Sequence, residues 1–282
     1  MLVFLNYVKL IRLHQPAGIL LLFFPCLFSL SLIKKSNILD SLDYIILFFI
    51  GSIFMRSAAC IINDICDFKF DRKVSRTKKR PLACGSITIL NALLFLIFLL
   101  ILSLIILLQF SYLTILSGFF ITFFVILYPL MKRFTFFPQV FLAIVINFGV
   151  IMMSLALNSN VSRETLLLYL ATIFWTIIYD TIYAFQDVDD DILIGVKSTA
   201  VKFYNNPRIF ILLNYVAMSI IFILIGYLLN LSIFYFIFML SSLLYYSKLI
   251  KNIDYKSTKN CAKFFNNNII FAIGVTISLI LS

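Results

Sequence analysis

Charge is scarce in this 282-residue chain: 12% of it is Asp, Glu, Lys or Arg, against about a quarter in soluble domains. With 63% hydrophobic residues and a mean hydropathy of +1.08, this shortage excludes a soluble globular protein and points to a polytopic membrane protein. Acids are the scarcer sign, 12 against 23 basic residues, for a formal charge of +11. In a soluble protein that excess suggests nucleic acid as a partner. In a membrane protein it needs none, because Lys and Arg collect on the cytoplasmic side. Histidine occurs once, at His14, with no second soft ligand nearby, and reads as an interfacial polar residue rather than a catalytic base. The five cysteines (Cys26, Cys60, Cys66, Cys84 and Cys261) form neither a disulfide framework nor a zinc spacing, and read as reduced packing residues.

What the chain has in abundance is apolar runs. Nine are long enough to cross a hydrocarbon core of about 30 Å, at about 16–33, 42–66, 87–108, 112–131, 138–157, 166–186, 209–229, 231–249 and 265–282. No small-x-small cleavage site follows the first, which predicts a retained helix. With the N-terminus inside, the basic residues test this count. Lys9 and Arg12, the cluster from Lys69 to Arg80, Lys132 and Arg133, Lys197, Lys202 and Arg208, and the five from Lys248 to Lys263 all fall on the cytoplasmic side. Lys34, Lys35 and Arg163 fall outside, and Arg56 lies within a span. The expectation is one all-helical membrane domain, 1–282, in the inner membrane of a bacterium. Polar loops after helices two and six would cap it on the cytoplasmic face.

The few acids are not scattered. Eight of the 12 lie in NDICDFKFDRKVSRTKKRP (63–81) and YDTIYAFQDVDDDILIGVKST (179–199). If the second span continues as a helix through Asp71, then Asn63, Asp67 and Asp71 stand at i, i+4 and i+8, with Asp64 seven residues before Asp71, and all four share a face. In the second stretch Asp187 and Asp191 are i, i+4, with Tyr183 and Asp180 one and two turns earlier on about the same side. Ionisable groups at a membrane boundary are expensive and usually functional, and crowded carboxylates repel each other. A divalent cation reverses the sign, and oxygen-only ligands favour Mg²⁺, commonly held by one or two carboxylates plus phosphate oxygens of a substrate. The plain alternative is that the acids pair with neighbouring Lys and Arg and only cap helices or fix topology; basic residues alone would serve topology.

Two acidic faces imply two ions, and a diphosphate is the natural bridge between them. Each face is followed by cationic and hydroxyl donors: Arg76, Thr77, Lys79 and Arg80 after the first, Lys197, Ser198 and Thr199 after the second. This shared order reads as a weak internal repeat. A diphosphate at the mouth of a greasy bundle suggests an isoprenoid diphosphate.

NDICDFKFD with RTKKRPL, and YDTIYAFQDVDDD with IGVKST, resemble the two aspartate-rich motifs of the UbiA-type membrane prenyltransferases. MRSAAC before Asn63, YPLMKRFTFFPQ at 128–139 and the opening RLHQPAGILLLFFP add to the likeness, which runs from about residue 12 to about 203. Gln15 stands where that family usually has a basic residue. The branch most resembled acts on 4-hydroxybenzoate in ubiquinone synthesis. The resemblance implies that Asp67 and Asp71, with Asn63 and Asp64, hold one Mg²⁺, and Asp187 and Asp191 the other. A polyprenyl diphosphate would then ionise, and the ring carbon ortho to the hydroxyl would attack the allylic cation. Under this reading Arg76, Lys79, Arg80 and Lys197 bind diphosphate, while Arg56, Arg133, Tyr128, Asp180 and Tyr183 line the acceptor and cation pocket. Arg56 is the first candidate for the acceptor's carboxylate and Arg133 the second; their plain alternatives are pairing with Asp64 or Asp180, and a topological anchor beside Lys132.

Related enzymes acting on haem or a naphthoate quinone precursor share the aspartate motifs, but YPLMKRFTFFPQ argues against them. A CDP-alcohol phosphotransferase lacks support because its DGxxAR element is absent. A cation or organic-anion transporter would bind near the midplane between Gly- or Pro-broken helices; here the acids sit at helix ends and glycines number eight.

Overall fold

The computed structural model describes residues 2–34 and 41–282, and every regular element among them is helical. In chain order these are α1 Leu2–Leu10, α2 Ala17–Lys34, α3 Leu42–Asp71, α4 Ile89–Leu107, α5 Tyr112–Leu127, α6 Met131–Phe134, α7 Pro138–Ile146 and α8 Gly149–Asn158. They continue with α9 Arg163–Ala184, α10 Val188–Ile194, α11 Thr199–Lys202, α12 Pro207–Leu228, α13 Ile233–Lys251 and α14 Thr258–Ile280. Helices satisfy their own backbone groups, which is the condition for crossing lipid.

Eight helical segments among the described residues are long and apolar enough to cross a membrane: α3, α4, Tyr112–Phe134, Pro138–Asn158, α9, α12, α13 and α14. The first of the nine expected spans is a shorter apolar stretch, Ala17–Ile33. Of the lysines expected on the outer side, Lys35 lies outside the described residues.

Helix starts follow from local chemistry. Thr88, Ser162 and Ser257 each accept a hydrogen bond from the amide three residues on, of Asn91, Thr165 and Asn260, which satisfies one of the orphan donors at a helix start. Two expected continuities are broken. The fifth expected span, at about 138–157, is two helices, with Asn147 at the break; its amide donates to the Ala143 carbonyl and to Thr176 Oγ1, 2.7 Å away. The sixth ends at Ala184, and α10 begins only at Val188. Asp187 and Asp191 therefore do not continue the face of Asp180 and Tyr183 along one helix, because the chain turns between them.

The interior is held by packing and a few paired polar groups, as membrane bundles are. Trp175 of α9 is buried against Phe28, Tyr179 and Phe271. Its indole N–H donates to Asn268 Oδ1 at 2.7 Å, and the same oxygen accepts from Tyr246 OH at 2.9 Å. This joins α9, α13 and α14, and sets α9 beside α2 and α7 so that its C-terminal end faces that of α3. Outward faces are mostly apolar, with Leu90, Leu94, Ile97, Phe98 and Ile101 exposed along α4.

Candidate active site

Helix α3 runs unbroken through Asp71, as its spacing predicts, and carries Asn63, Asp67 and Asp71 into a cavity of about 680 Å³. Across that cavity α9 presents Asp180 and Tyr183, and the turn into α10 presents Asp187 and Asp191. The two motifs, more than a hundred residues apart, thus face each other. The wall between them is polar at the aspartates and apolar beyond, lined by Leu104, Leu107, Phe110 and Phe119 among others.

Cations of the chain meet most of these carboxylates. Lys132 pairs with Asp67. Arg80 Nη1 donates to Asp71 Oδ2 at 2.8 Å and to Asp64 Oδ1 at 3.2 Å. Arg76 pairs with Asp187, its Nε lying 2.8 Å from Oδ1, and also donates to Tyr183 OH at 3.1 Å. Burial opposes its charge most, but the hydrogen bond to Asp187 and the charges of Tyr183 and Asp187 together outweigh that cost and hold the Arg76 guanidinium above its usual range. Asp191 pairs with no cation among the described residues. Burial, and next the charge of Asp187, push its carboxyl up to about 7. Asp67 keeps one buried oxygen, Oδ1, without any hydrogen-bond partner. A buried carboxylate oxygen left unmatched is costly, and one facing a shared cavity is the place for a ligand.

Not every expected residue is brought to the cavity. Asp64 is buried at 1% exposure and is not itself in the lining; Arg12 and Arg80, which are, pair with it and cover it. Two turns before Asp71, it lies on nearly the same side of α3, and Arg80 bridges the two carboxylates. Lys79 is exposed and outside the lining. Arg133 turns outward; its Nη2 donates to the Cys66 carbonyl at 2.8 Å and its guanidinium lies over Phe70. Arg56, Tyr128, Arg76, Arg80 and Lys197 do line the cavity. Arg56 lies against Gly18 of α2, where a Cβ would sit 2.7 Å from its Nε. Only glycine leaves the guanidinium this place.

Three contributors escaped sequence reading. Arg12 read as an interfacial anchor, yet it reaches Asp64, 52 residues on, from a left-handed backbone (φ 54°). Lys132 read as an anchor too, and its neighbour Arg133 was preferred; the 3₁₀ turn at Tyr128–Leu130, leading into α6, decides which of the two faces inward. Gln139 accepts from the Thr199 amide at 3.0 Å, and the Lys197 amide donates to the Lys132 carbonyl at 3.1 Å. These bonds tie the segment after α10 to α6 and α7. The YPLMKRFTFFPQ motif contained the signal for both, as polar residues within an otherwise apolar segment.

The polar cover also closes across the site. The Ser75 amide donates to Asp190 Oδ2 at 2.8 Å, beside the Arg76 pair, so the loop after α3 rests on α10. Gly195, at φ 74°, ends α10 in the left-handed region that glycine adopts without strain. Asp189 accepts from Tyr204 OH at 3.3 Å.

The donor set suits a hard divalent cation. Each motif offers two carboxylates, Asn63 adds a carbonyl, and all are oxygen ligands. No group of three acidic, histidine or cysteine residues with metal-binding geometry occurs among the described residues. The arrangement fits an ion completed by oxygens of a bound substrate rather than one caged by protein.

A family model described as the UbiA prenyltransferase family matches residues 22–274. The chain is 43% identical over 207 residues to a protein named 4-hydroxybenzoate polyprenyltransferase, mitochondrial, of Arabidopsis thaliana, covering 73% of this chain and 51% of the relative. It is 42% identical over 219 residues to a 4-hydroxybenzoate octaprenyltransferase of Francisella tularensis subsp. novicida, covering 77% of this chain and 76% of the relative. The chain thus spans about half the length of the plant relative and about three quarters of the bacterial one. Among solved structures, a UbiA homolog from Archaeoglobus fulgidus bound to GPP and Mg²⁺ superposes with a TM-score of 0.71 at 19% identity, covering 98% of this chain and 100% of that one.

Proposed function

Because the chain belongs to the UbiA prenyltransferase family, we propose that it is a single-domain enzyme moving a polyprenyl group from its diphosphate to 4-hydroxybenzoate, in ubiquinone biosynthesis. The carbon modified is the ring carbon ortho to the hydroxyl. The names of its relatives support the acceptor. The observation that carries the reading is the opposition of Asp67 and Asp71 to Asp187 and Asp191 at the polar end of a cavity that is otherwise apolar.

Asn63, Asp67 and Asp71 would hold one Mg²⁺ and Asp187 and Asp191 a second, a set supported by the free buried oxygen of Asp67. When bound, the ions draw off the negative charge that builds on the departing diphosphate. Arg76, Arg80, Lys132 and Lys197 donate to the remaining phosphate oxygens, and their charges are in place before the reaction. As the allylic C–O bond breaks, the electron pair leaves with the diphosphate. The faces of Tyr128 and Tyr183 shelter the allylic cation, and the apolar wall takes the tail. The electron-rich ring carbon bonds to the cation, and loss of its proton restores aromaticity. Arg56, deeper in the cavity and held against Gly18, grips the acceptor's carboxylate, with Asp180 nearby.

The clustered basic residues beside both motifs support a site on the cytoplasmic face, and we read the membrane as the inner membrane of a bacterium. Purified chain is to be incubated with 4-hydroxybenzoate, a long prenyl diphosphate and Mg²⁺. Prenylated acid detected by mass, lost with EDTA and in Asp71→Ala and Asp191→Ala, is the expected result. Product that survives chelation overturns the metal-dependent reading, and absence of any product with intact diphosphate binding overturns the acceptor.

A further inference from the structure

Asp64 stands apart from the other acids of its motif. It is buried at 1% exposure, one residue from Asn63, and is covered from the cavity by Arg12 and Arg80, which line it while Asp64 does not. Its Oδ1 accepts from Arg12 Nη2 at 2.5 Å and from Arg80 Nη1 at 3.2 Å. The same Nη1 of Arg80 donates to Asp71 Oδ2 at 2.8 Å. One donor nitrogen is therefore divided between two carboxylates, of which only Asp71 lines the cavity. Arg12 competes with Arg80 for the shared oxygen of Asp64, and it does so from a left-handed backbone position in the turn between α1 and α2.

A divalent cation binding at Asp67 and Asp71 must contend with the positive charge of Arg80 already on Asp71. How strongly Arg80 contends depends on how well Asp64 holds it. We propose that Asp64 is a positioning residue and not a metal ligand: it is the alternative seat for Arg80, and the Arg12–Asp64 pair sets how readily Arg80 yields Asp71 to a cation. On yielding, Arg80 stays at Asp64 beside the site, in reach of the diphosphate. The inference rests on the cation site proposed above. It assigns the first acid of NDICDFKFD a task distinct from ligation and gives the half-buried Arg12 a function.

The test is uptake of Mn²⁺ alone by the full chain in detergent, read from the loss of the free-ion electron paramagnetic resonance signal. Removing the competing cation in Arg80→Met tightens uptake, and Asp64→Asn weakens it, each by about tenfold, or ~1.4 kcal/mol. The decisive arm combines them: Asp64→Asn in the Arg80→Met background leaves uptake where Arg80→Met alone put it, because the effect of Asp64 passes through Arg80. If Asp64→Asn weakens uptake as much without Arg80 as with it, Asp64 is a direct ligand or acts through space, and the proposal fails. Should the buried Asn variant not fold, judged by its thermal melt and gel filtration, Arg12→Met carries the same test with opposite sign. It tightens uptake when Arg80 is present and has no effect in Arg80→Met; equal effects in both backgrounds overturn the proposal. No uptake by the unaltered chain overturns the cation site itself, an outcome distinct from uptake that shows no coupling.

Discussion

Substituting Gly18 by alanine separates stability from substrate binding in a way that tests the role of Arg56. A Cβ at position 18 falls 2.7 Å from Nε and 3.0 Å from Nη2 of Arg56, well inside the ordinary separation of about 3.5 Å. The backbone there is helical and the obstructing group is the end of a flexible side chain, so the guanidinium moves and the helix does not. Alanine in a helix is worth up to roughly 0.5–1 kcal/mol over glycine, so the melting temperature holds or rises. The guanidinium must shift by about 1 Å, a displacement that in an active site costs up to about 10²-fold. A hydrogen bond to a charged group is worth about 1.5–3 kcal/mol, so partial loss of the grip on the carboxylate raises KM for 4-hydroxybenzoate by roughly 5- to 50-fold. KM for the prenyl diphosphate stays unchanged, because the residues that bind it lie nearer the mouth. The assay is steady-state prenylation with each substrate varied in turn, beside a thermal melt. Unchanged KM for the acid refutes the assignment of Arg56. A parallel rise for both substrates refutes the separation of the two binding regions.

Other outcomes follow from the same geometry. The Asp191 carboxyl, at about 7, keeps its proton to higher pH in the folded chain than the usual carboxylate value near ~4 in the unfolded one. The folded chain without added cation therefore loses stability as pH rises between these values and is level above them. Proton and cation compete for that oxygen, so the Mg²⁺ concentration for half-maximal activity falls as pH is raised from about 6 to 8; titration of activity against Mg²⁺ at each pH checks this, and Asp191→Asn abolishes the trend along with activity. Asn268→Ala leaves Trp175 N–H and Tyr246 OH without their shared acceptor, a loss of about 2–6 kcal/mol at roughly 1–3 per buried donor, seen as a lower melting temperature with turnover per folded molecule retained. Asp190→Asn loosens the Ser75 contact that draws the loop after α3 over the site. More water then reaches the allylic cation, and the ratio of free prenyl alcohol to prenylated acid rises by about 2- to 5-fold, from the loss of roughly 0.5–1 kcal/mol at an exposed bond; chromatography of both products reads it.

The parts of this site that were legible in the sequence are those fixed by position along one helix. Asn63, Asp67 and Asp71 share a face because α3 stays helical, and the apolar runs around them announce a bundle. What was not legible depends on how one helix is rotated against another. Nothing in FQD at 185–187 signals a stop by glycine or proline, yet α9 ends at Ala184 and Asp187 reaches the site from a turn. Asp64 looked equivalent to its neighbours, but Arg12, 52 residues back, pairs with it and covers it from the cavity. Between adjacent Lys132 and Arg133, identical in charge, a single turn of 3₁₀ helix decides which one enters. Such choices are settled by contacts between segments 50 to more than 100 residues apart, which spacing within a motif does not encode.

Lys132 is also where the internal symmetry of the chain fails. Its ammonium belongs to the first half, through Asp67, while its carbonyl belongs to the second, through the amide of Lys197. Two repeats related only by duplication would each own their residues, so that changes in one could be counted separately from changes in the other. With this residue held in common, substitutions at Asp67, Lys132 and Lys197 will not sum, and neither half of the proposed site is a module that can be exchanged for a relative's on its own.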